Sequence, residues 1–251
     1  MKEKIGILDS GIGGLSVYEA IRSQFQELDM LYLADEAHLP YGVKSKAVVR
    51  ALTLKYIETL KQLGATWIVV ACNTATASII DICAEDTHVI GVIEPTAQWA
   101  LRQSKNQKIA LFATQLTVES KLYEKYLSPH LEVAINCSQL VPLIEQMNFS
   151  SQEIDTLIHS YLQQLQEADT LILGCTHFKW IRPMIAQIAP SLQLVDSGEP
   201  IVDLLKKRGF QVQQDGSSQG KSVYYTTGDV AKARHQLEKM HFYFDQIQNI
   251  E

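Results

Sequence analysis

Two short stretches of this chain share a chemical design. In 69–77 the run Val69-Val70-Ala71 leads into Cys72-Asn73-Thr74, and in 171–178 the run Leu171-Ile172-Leu173-Gly174 leads into Cys175-Thr176-His177. Each is a buried-strand pattern that ends in a small residue, then a cysteine, then a residue with a hydrogen-bonding side chain. Each lies between helical segments, so each cysteine is expected at the carboxyl end of a parallel strand, where open α/β sheets place their ligands. A thiol there looks toward the start of the next helix, whose dipole favours thiolate. Two such thiols facing one cleft would make an acid and a base. A lone cysteine often only fills space. Structural filling gives no reason, however, for Asn73 and Thr176 to follow the two sulfurs.

The elements that must position this pair alternate along the chain. A strand at 5–8 runs into Asp9-Ser10-Gly11-Ile12-Gly13-Gly14 and a helix over 15–25. The glycines suggest a dinucleotide loop, but Ser16 stands at the last position of GxGxxG and GxxxxGK[ST] is absent. The loop could still offer backbone N–H groups to the carboxylate of a small substrate. A strand at 30–34 leads through Asp35 and His38 to Leu39-Pro40-Tyr41-Gly42, a firm turn whose tyrosine could be structural or a ligand contact. The spacing then predicts a helix over 46–63 stopped by Gly64, the first cysteine strand at 67–71, a helix over 74–84 and a strand over 88–93 closed by Glu94-Pro95. Residues 98–108 read as a polar connection into a second series. That series has strands at 108–113, 132–136, 170–174 and 192–195, and helices over 119–126, 140–147, 151–165 and 200–207. A polar loop over 211–221, a strand at 223–226 and a helix over 231–240 complete the chain. Alternation of this kind argues for parallel sheets covered on both faces. The fold class is therefore α/β, with what looks like a second unit after the polar connection.

Composition bounds the function. The chain has 251 residues, 22 lysines and arginines against 28 aspartates and glutamates, and a formal net charge of −6, so no basic footprint argues for nucleic acid. No stretch has the length of a membrane span or of a signal-peptide core, which predicts a cytoplasmic protein. The four cysteines, Cys72, Cys83, Cys137 and Cys175, are too few for a disulfide scaffold and form no CxxC pair.

Taken together, the motifs DSGIGGLSV (9–17), ADxAxLPYGxKS (34–45), ACNTATA (71–77), GVIEP (91–95), ATxxTVxS (113–120), VPLIE (141–145), LGCTH (173–177) and VDSGE (195–199) resemble the glutamate racemase family, within the aspartate/glutamate racemase superfamily, over nearly the whole length. The resemblance implies two similar open parallel-sheet α/β domains with the active site in the cleft between them, a first of residues 1–96 with 207–251, carrying Cys72, and a second of 97–206, carrying Cys175. It implies that Cys72 and Cys175 are catalytic, assisted by Asp9 and His177. Asp9, Ser10, Tyr41, Gly42, Asn73, Thr74, Thr176 and His177 would line a glutamate site, with Thr114, Thr117 and Glu145 as further candidates. The implied reaction removes the α-proton of glutamate on one face and returns it on the other. Cys72 would take it from the D-isomer and Cys175 from the L-isomer, supplying D-glutamate for peptidoglycan. A modest downward shift from the free thiol value of about 8.5 would ready the base. No lysine for a pyridoxal Schiff base and no metal-ligand cluster is recognisable, so no cofactor and no metal is expected, and the partner is the small-molecule substrate. Relatives are often homodimers.

Phe178-Lys179-Trp180 stand where the family commonly has Tyr, Pro and Leu, which bears on the shape of the pocket wall, and Thr96 stands where a glycine is common. The chain lacks the amino-terminal extension of relatives that respond to cell-wall precursors, so no such activation is expected. Three rival readings are an aspartate or broad-specificity racemase, a one-cysteine decarboxylase and a non-catalytic two-lobed amino-acid-binding protein. The first differs by one methylene, worth about 1 to 3 kcal/mol. The second is disfavoured by the paired cysteines, and the third by those thiols and the lack of an export signal.

Overall fold

A computed structural model describes residues 3–210 and 219–250. Its elements are β1 (Lys4–Asp9), α1 (Leu15–Gln24), β2 (Asp29–Ala34), α2 (Lys46–Gln62), β3 (Trp67–Val70), α3 (Asn73–Ser78), α4 (Ile80–Glu85), β4 (Val89–Gly91) and α5 (Ile93–Gln103). A second series follows as β5 (Ile109–Ala113), α6 (Gln115–Glu119), α7 (Leu122–Leu127), β6 (Leu131–Asn136), α8 (Leu140–Glu145), α9 (Gln152–Leu162), β7 (Thr170–Gly174), a 3-10 turn (Thr176–Ile181), α10 (Arg182–Ile188), β8 (Gln193–Val195) and α11 (Gly198–Lys207). The chain then adds β9 (Ser222–Thr226), α12 (Val230–Lys239) and β10 (Gln246–Asn249).

The strands form two parallel sheets, ordered β10-β9-β2-β1-β3-β4 and β6-β5-β7-β8. In each, successive strands grow outward from a centre in opposite directions, so there is a point where the order reverses. It falls between β1 and β3 in the six-stranded sheet and between β5 and β7 in the four-stranded one. Crossover connections leave a crevice at the carboxyl ends of such neighbours. Cys72 lies two residues beyond β3 and Cys175 directly after β7, so both thiols stand at a reversal point.

Local chemistry sets the element ends as the sequence predicts in most places. Ser45 caps α2 by accepting from Val48 N at 3.4 Å, Gly64 with φ +89° ends it, and Ser151 caps α9 through Ile154 N. Other boundaries differ. Glu94 and Pro95 do not close a strand but lie in the first turn of α5, where a missing N–H costs no helical hydrogen bond. The helix expected over 74–84 is broken at Ile79, and that expected over 119–126 begins only after Lys121, which has φ +55°. β10 was not expected: its sequence QIQN is polar because it is a largely exposed edge strand. Most of the polar loop expected over 211–221 lies outside the described residues.

One apolar core runs through both sheets, joining Leu8, Val70 and Cys72 of the first to Leu111, Ala113 and Ile172 of the second. Two others fill the opposite faces, one under α1, α11 and α12 and one under α8, α9 and α10. Between the sheets, the glycine loop after β1 presses on the turn after β7. A Cβ on Gly13 would sit 2.4 Å from Thr176 Oγ1, 2.8 Å from His177 Nδ1 and 2.9 Å from His177 N, and one on Gly11 would sit 2.9 Å from Glu145 Oε1. The loop is glycine-rich so that backbone can meet backbone there. Gly13→Ala is therefore expected to cost about 1–3 kcal/mol of stability, read as a lowered midpoint of urea unfolding; an unchanged midpoint would show that the two loops are not in register as described.

Candidate active site

A cavity of about 250 Å³ opens between the two sets of strand ends and takes in both sulfurs, Cys72 and Cys175. Of the residues expected at the site, Ser10, Tyr41, Gly42, Asn73, Thr74, Thr114, Thr176 and His177 also line it. Asp9, Thr117 and Glu145 stand behind the wall, each bonded to a residue that does line it. Thr117 is linked to Thr114 at 3.0 Å and to Thr74 at 3.4 Å, and Thr74 to Thr114 at 2.8 Å, so three hydroxyls bridge the two sheets. Glu145 Oε1 meets His177 Nε2 at 2.5 Å, and His177 Nδ1 faces Cys175 Sγ at 3.7 Å.

Asp9 is fully buried where the sheets meet. Its Oδ2 accepts from Gly14 N at 3.0 Å and Gly11 N at 3.3 Å, and its Oδ1 from Thr176 Oγ1 at 3.2 Å. The loop donors expected to hold a substrate carboxylate are thus partly spent on the protein's own carboxylate. Burial pushes the Asp9 pKa up to about 6, against the opposing pull of His177 and these donors. His177 goes the other way from most buried histidines. Burial acts to lower its pKa, but its hydrogen bonds to Cys175 and Glu145 and their charges raise it well above the usual value, so the ring stays protonated near neutrality.

The expectation of a downward-shifted thiol fails at Cys72. Burial and then the negative charge of Asp9 push its pKa well above the ordinary thiol value, despite the N–H of Ala75 and the Ser10 hydroxyl, the latter 3.9 Å from the sulfur. The helix argument is weak for a physical reason: α3 has only six residues, and Cys175 is followed by a 3-10 turn. Few aligned peptides cannot offset the loss of water around an anion.

Tyr41 also differs from a simple ligand contact. Its hydroxyl donates to Asp35 Oδ2 at 2.6 Å, and Asp35 takes further bonds from His38 and, on the strand-end of β9, Thr227. The phenol is committed inside the wall, and burial and Asp35 hold its pKa up. Pro40, Val43, Ser138, Gln139, Val141 and Pro142 line the cavity although they were not expected to. Val141 and Pro142 sit in the VPLIE motif, and Pro40 and Val43 flank Tyr41 and Gly42, so motif proximity could have found those four. Nothing in the pattern marks Ser138 or Gln139.

The changes at 178–180 leave the wall intact. Phe178 is fully buried in the core of the second sheet, Lys179 pairs with Asp196 at 2.8 Å, and Trp180 packs against Phe149 and Phe242; none of the three lines the cavity. Among the described residues no three His, Cys, Asp or Glu side chains are arranged to hold a metal ion, and no helix is long and apolar enough to cross a membrane.

A cavity that receives one cysteine from each of two parallel sheets has the groups to exchange protons with a carbon from two sides, and the sequence comparisons point to a class that does such chemistry. The Asp/Glu/Hydantoin racemase family model matches residues 5–205, and the chain belongs to that family and is an isomerase of the racemase type. It is 38% identical over 220 residues to a glutamate racemase of Aquifex pyrophilus, covering 86% of this chain and 85% of the relative. Among solved structures, glutamate racemase from Thermus thermophilus in complex with β-chloro-D-alanine superposes with a TM-score of 0.89 at 31% identity, over 100% of this chain and 97% of that one. A glutamate racemase isoform from Bacillus anthracis gives 0.91 at 30% identity, over 99% and 97%.

Because Asp9 binds its proton more tightly folded than unfolded, its ionisation opposes folding. That penalty is absent below pH 4 and complete above the folded value of about 6. Relative to Asp9→Asn, the wild type is expected to lose about 3 kcal/mol of stability between pH 4 and pH 8, measured as the pH dependence of the difference in unfolding free energy. A flat difference would mean that the carboxyl is not buried as described.

Proposed function

We propose that this chain interconverts L- and D-glutamate without a cofactor, with Cys72 and Cys175 acting as base and acid in turn, and so supplies D-glutamate for peptidoglycan in the cytoplasm. The observation that carries this reading is that the cavity has one thiol from each sheet. A carbon acid seated there meets a sulfur from each lobe. In one direction a thiolate takes the α-proton and leaves an electron pair on carbon, and the opposite thiol delivers its own proton to the other face. The sulfurs end with their charge states exchanged, which readies the reverse turnover.

The surrounding groups support such a step. Hydroxyls of Thr74 and Thr114, with the Asn73 amide, offer donors for the carboxylate on which charge builds. The α-ammonium of a bound amino acid supplies positive charge near Cys72, offsetting the burial and the Asp9 charge that hold its thiol protonated. His177 keeps a proton beside Cys175, and Glu145 holds the ring in place. We take residues 1–96 with 207–251 as one lobe and 97–206 as the other, closing on the substrate to exclude water.

The test is exchange of the α-hydrogen in deuterated water with L- and D-glutamate, run beside L- and D-aspartate. Glutamate is expected to racemise with deuterium entering Cα, and Cys72→Ser to lower the rate at least about a hundredfold. Faster turnover of aspartate would overturn the substrate assignment. Near-full activity of Cys72→Ser would overturn the two-thiol scheme.

A further inference from the structure

The side-chain amide of Asn73 has one end fixed and one end free. It is 2% exposed and lies in the cavity wall directly after Cys72. Its Oδ1 accepts from the Tyr123 hydroxyl at 2.8 Å, while its Nδ2 is buried without a hydrogen-bond partner among the described residues. Tyr123 is almost wholly buried, does not line the cavity, and belongs to α7, which follows the first strand of the other sheet. The Asn73 oxygen is the acceptor that the buried phenol proton has, so the bond joins the two sheets through one hydroxyl.

An asparagine amide can turn by half a rotation at almost no steric cost, because oxygen and nitrogen have nearly the same size. Only its hydrogen-bond partners choose between the two states. Here one phenol makes the choice, because its buried proton has Asn73 Oδ1 as its acceptor and a reversed amide would leave that proton unmet. With its proton on Oδ1, the amide's two N–H groups are left for whatever occupies the cavity; with the amide reversed, a carbonyl oxygen would face an incoming carboxylate. A buried donor left without a partner costs free energy unless a ligand meets it, so the orientation is one that ligand binding rewards.

We propose that Tyr123 is a positioning residue for the substrate carboxylate: its hydroxyl fixes the Asn73 amide with the nitrogen toward the cavity. This rests on the amino-acid racemase reading above and adds to it a device by which the second sheet sets the orientation of a binding group on the first. The device forms only when the two sheets stand at the spacing described.

Tyr123→Phe removes the hydroxyl and little else. It is expected to raise KM for L- and D-glutamate about tenfold, the worth of one well-placed hydrogen bond to a charged group, with kcat nearly unchanged and the melting temperature lowered by only a few degrees, the cost of leaving Asn73 Oδ1 buried without its donor. Because the effect passes through one amide, Tyr123→Phe made in an Asn73→Ala background is expected to change KM by less than about twofold. Effects that multiply, or an unchanged KM in the single variant, would overturn the proposal. A second reading does not use glutamate. The side-chain NH2 signals of Asn73 in the 15N spectrum, identified by their loss in Asn73→Ala, are expected as one pair in the wild type and as a doubled or broadened pair in Tyr123→Phe. An unchanged pair would overturn the positioning role whatever the substrate. If the pair changes but the wild type fails to racemise glutamate, it is the substrate reading that falls.

Discussion

The close passage of the loop after β1 against the turn after β7 governs this molecule's chemistry. Gly11 and Gly13 have no room for a side chain because Leu39 and Glu145 crowd the first and Thr176 and His177 the second. The contact seals the floor of the cavity and buries Asp9, and that burial sets the electrostatics of the site. A carboxyl exposed to water at the same distance from Cys72 would be screened and would matter little. Enclosed, it pushes the neighbouring thiol up and is itself pushed up.

The two thiols are consequently not equivalent. Cys72 faces an acidic neighbour and short helical support, and burial and that neighbour hold its proton. Cys175 faces a protonated ring tied to Glu145. The two-thiol scheme proposed above needs one sulfur with and one without a proton at the same moment, and dissimilar surroundings suit that need. Like pairs share protons as a unit; unlike surroundings decide which partner holds the proton first.

Bonds that cross from one sheet to the other recur around the cavity: Thr176 to Asp9, Thr74 to Thr114, Tyr123 to Asn73. Each joins polar groups that would be costly to bury unpaired. They make the site a property of the two sheets jointly, and they explain why hydroxyl residues cluster at strand ends that are otherwise apolar.

Much of this was legible in the order of residues. Periodicity of apolar positions gave the alternation of strands and helices, and strand-end motifs gave Cys72, Cys175 and the polar residues beside them, because a strand must be apolar where buried and can be polar only where it leaves the sheet. What the sequence could not contain is distance across the chain. Strand order, and with it the reversal points that bring the two cysteines to one cavity, depends on which strands pair. The upward shift of the Cys72 thiol depends on how completely water is excluded. Pro95 misled because a residue that ends a strand also suits the first turn of a helix. Tyr123 carried no mark at all: on a helix it reads as one more buried aromatic, and only its meeting with Asn73 from the opposite sheet gives its hydroxyl a task.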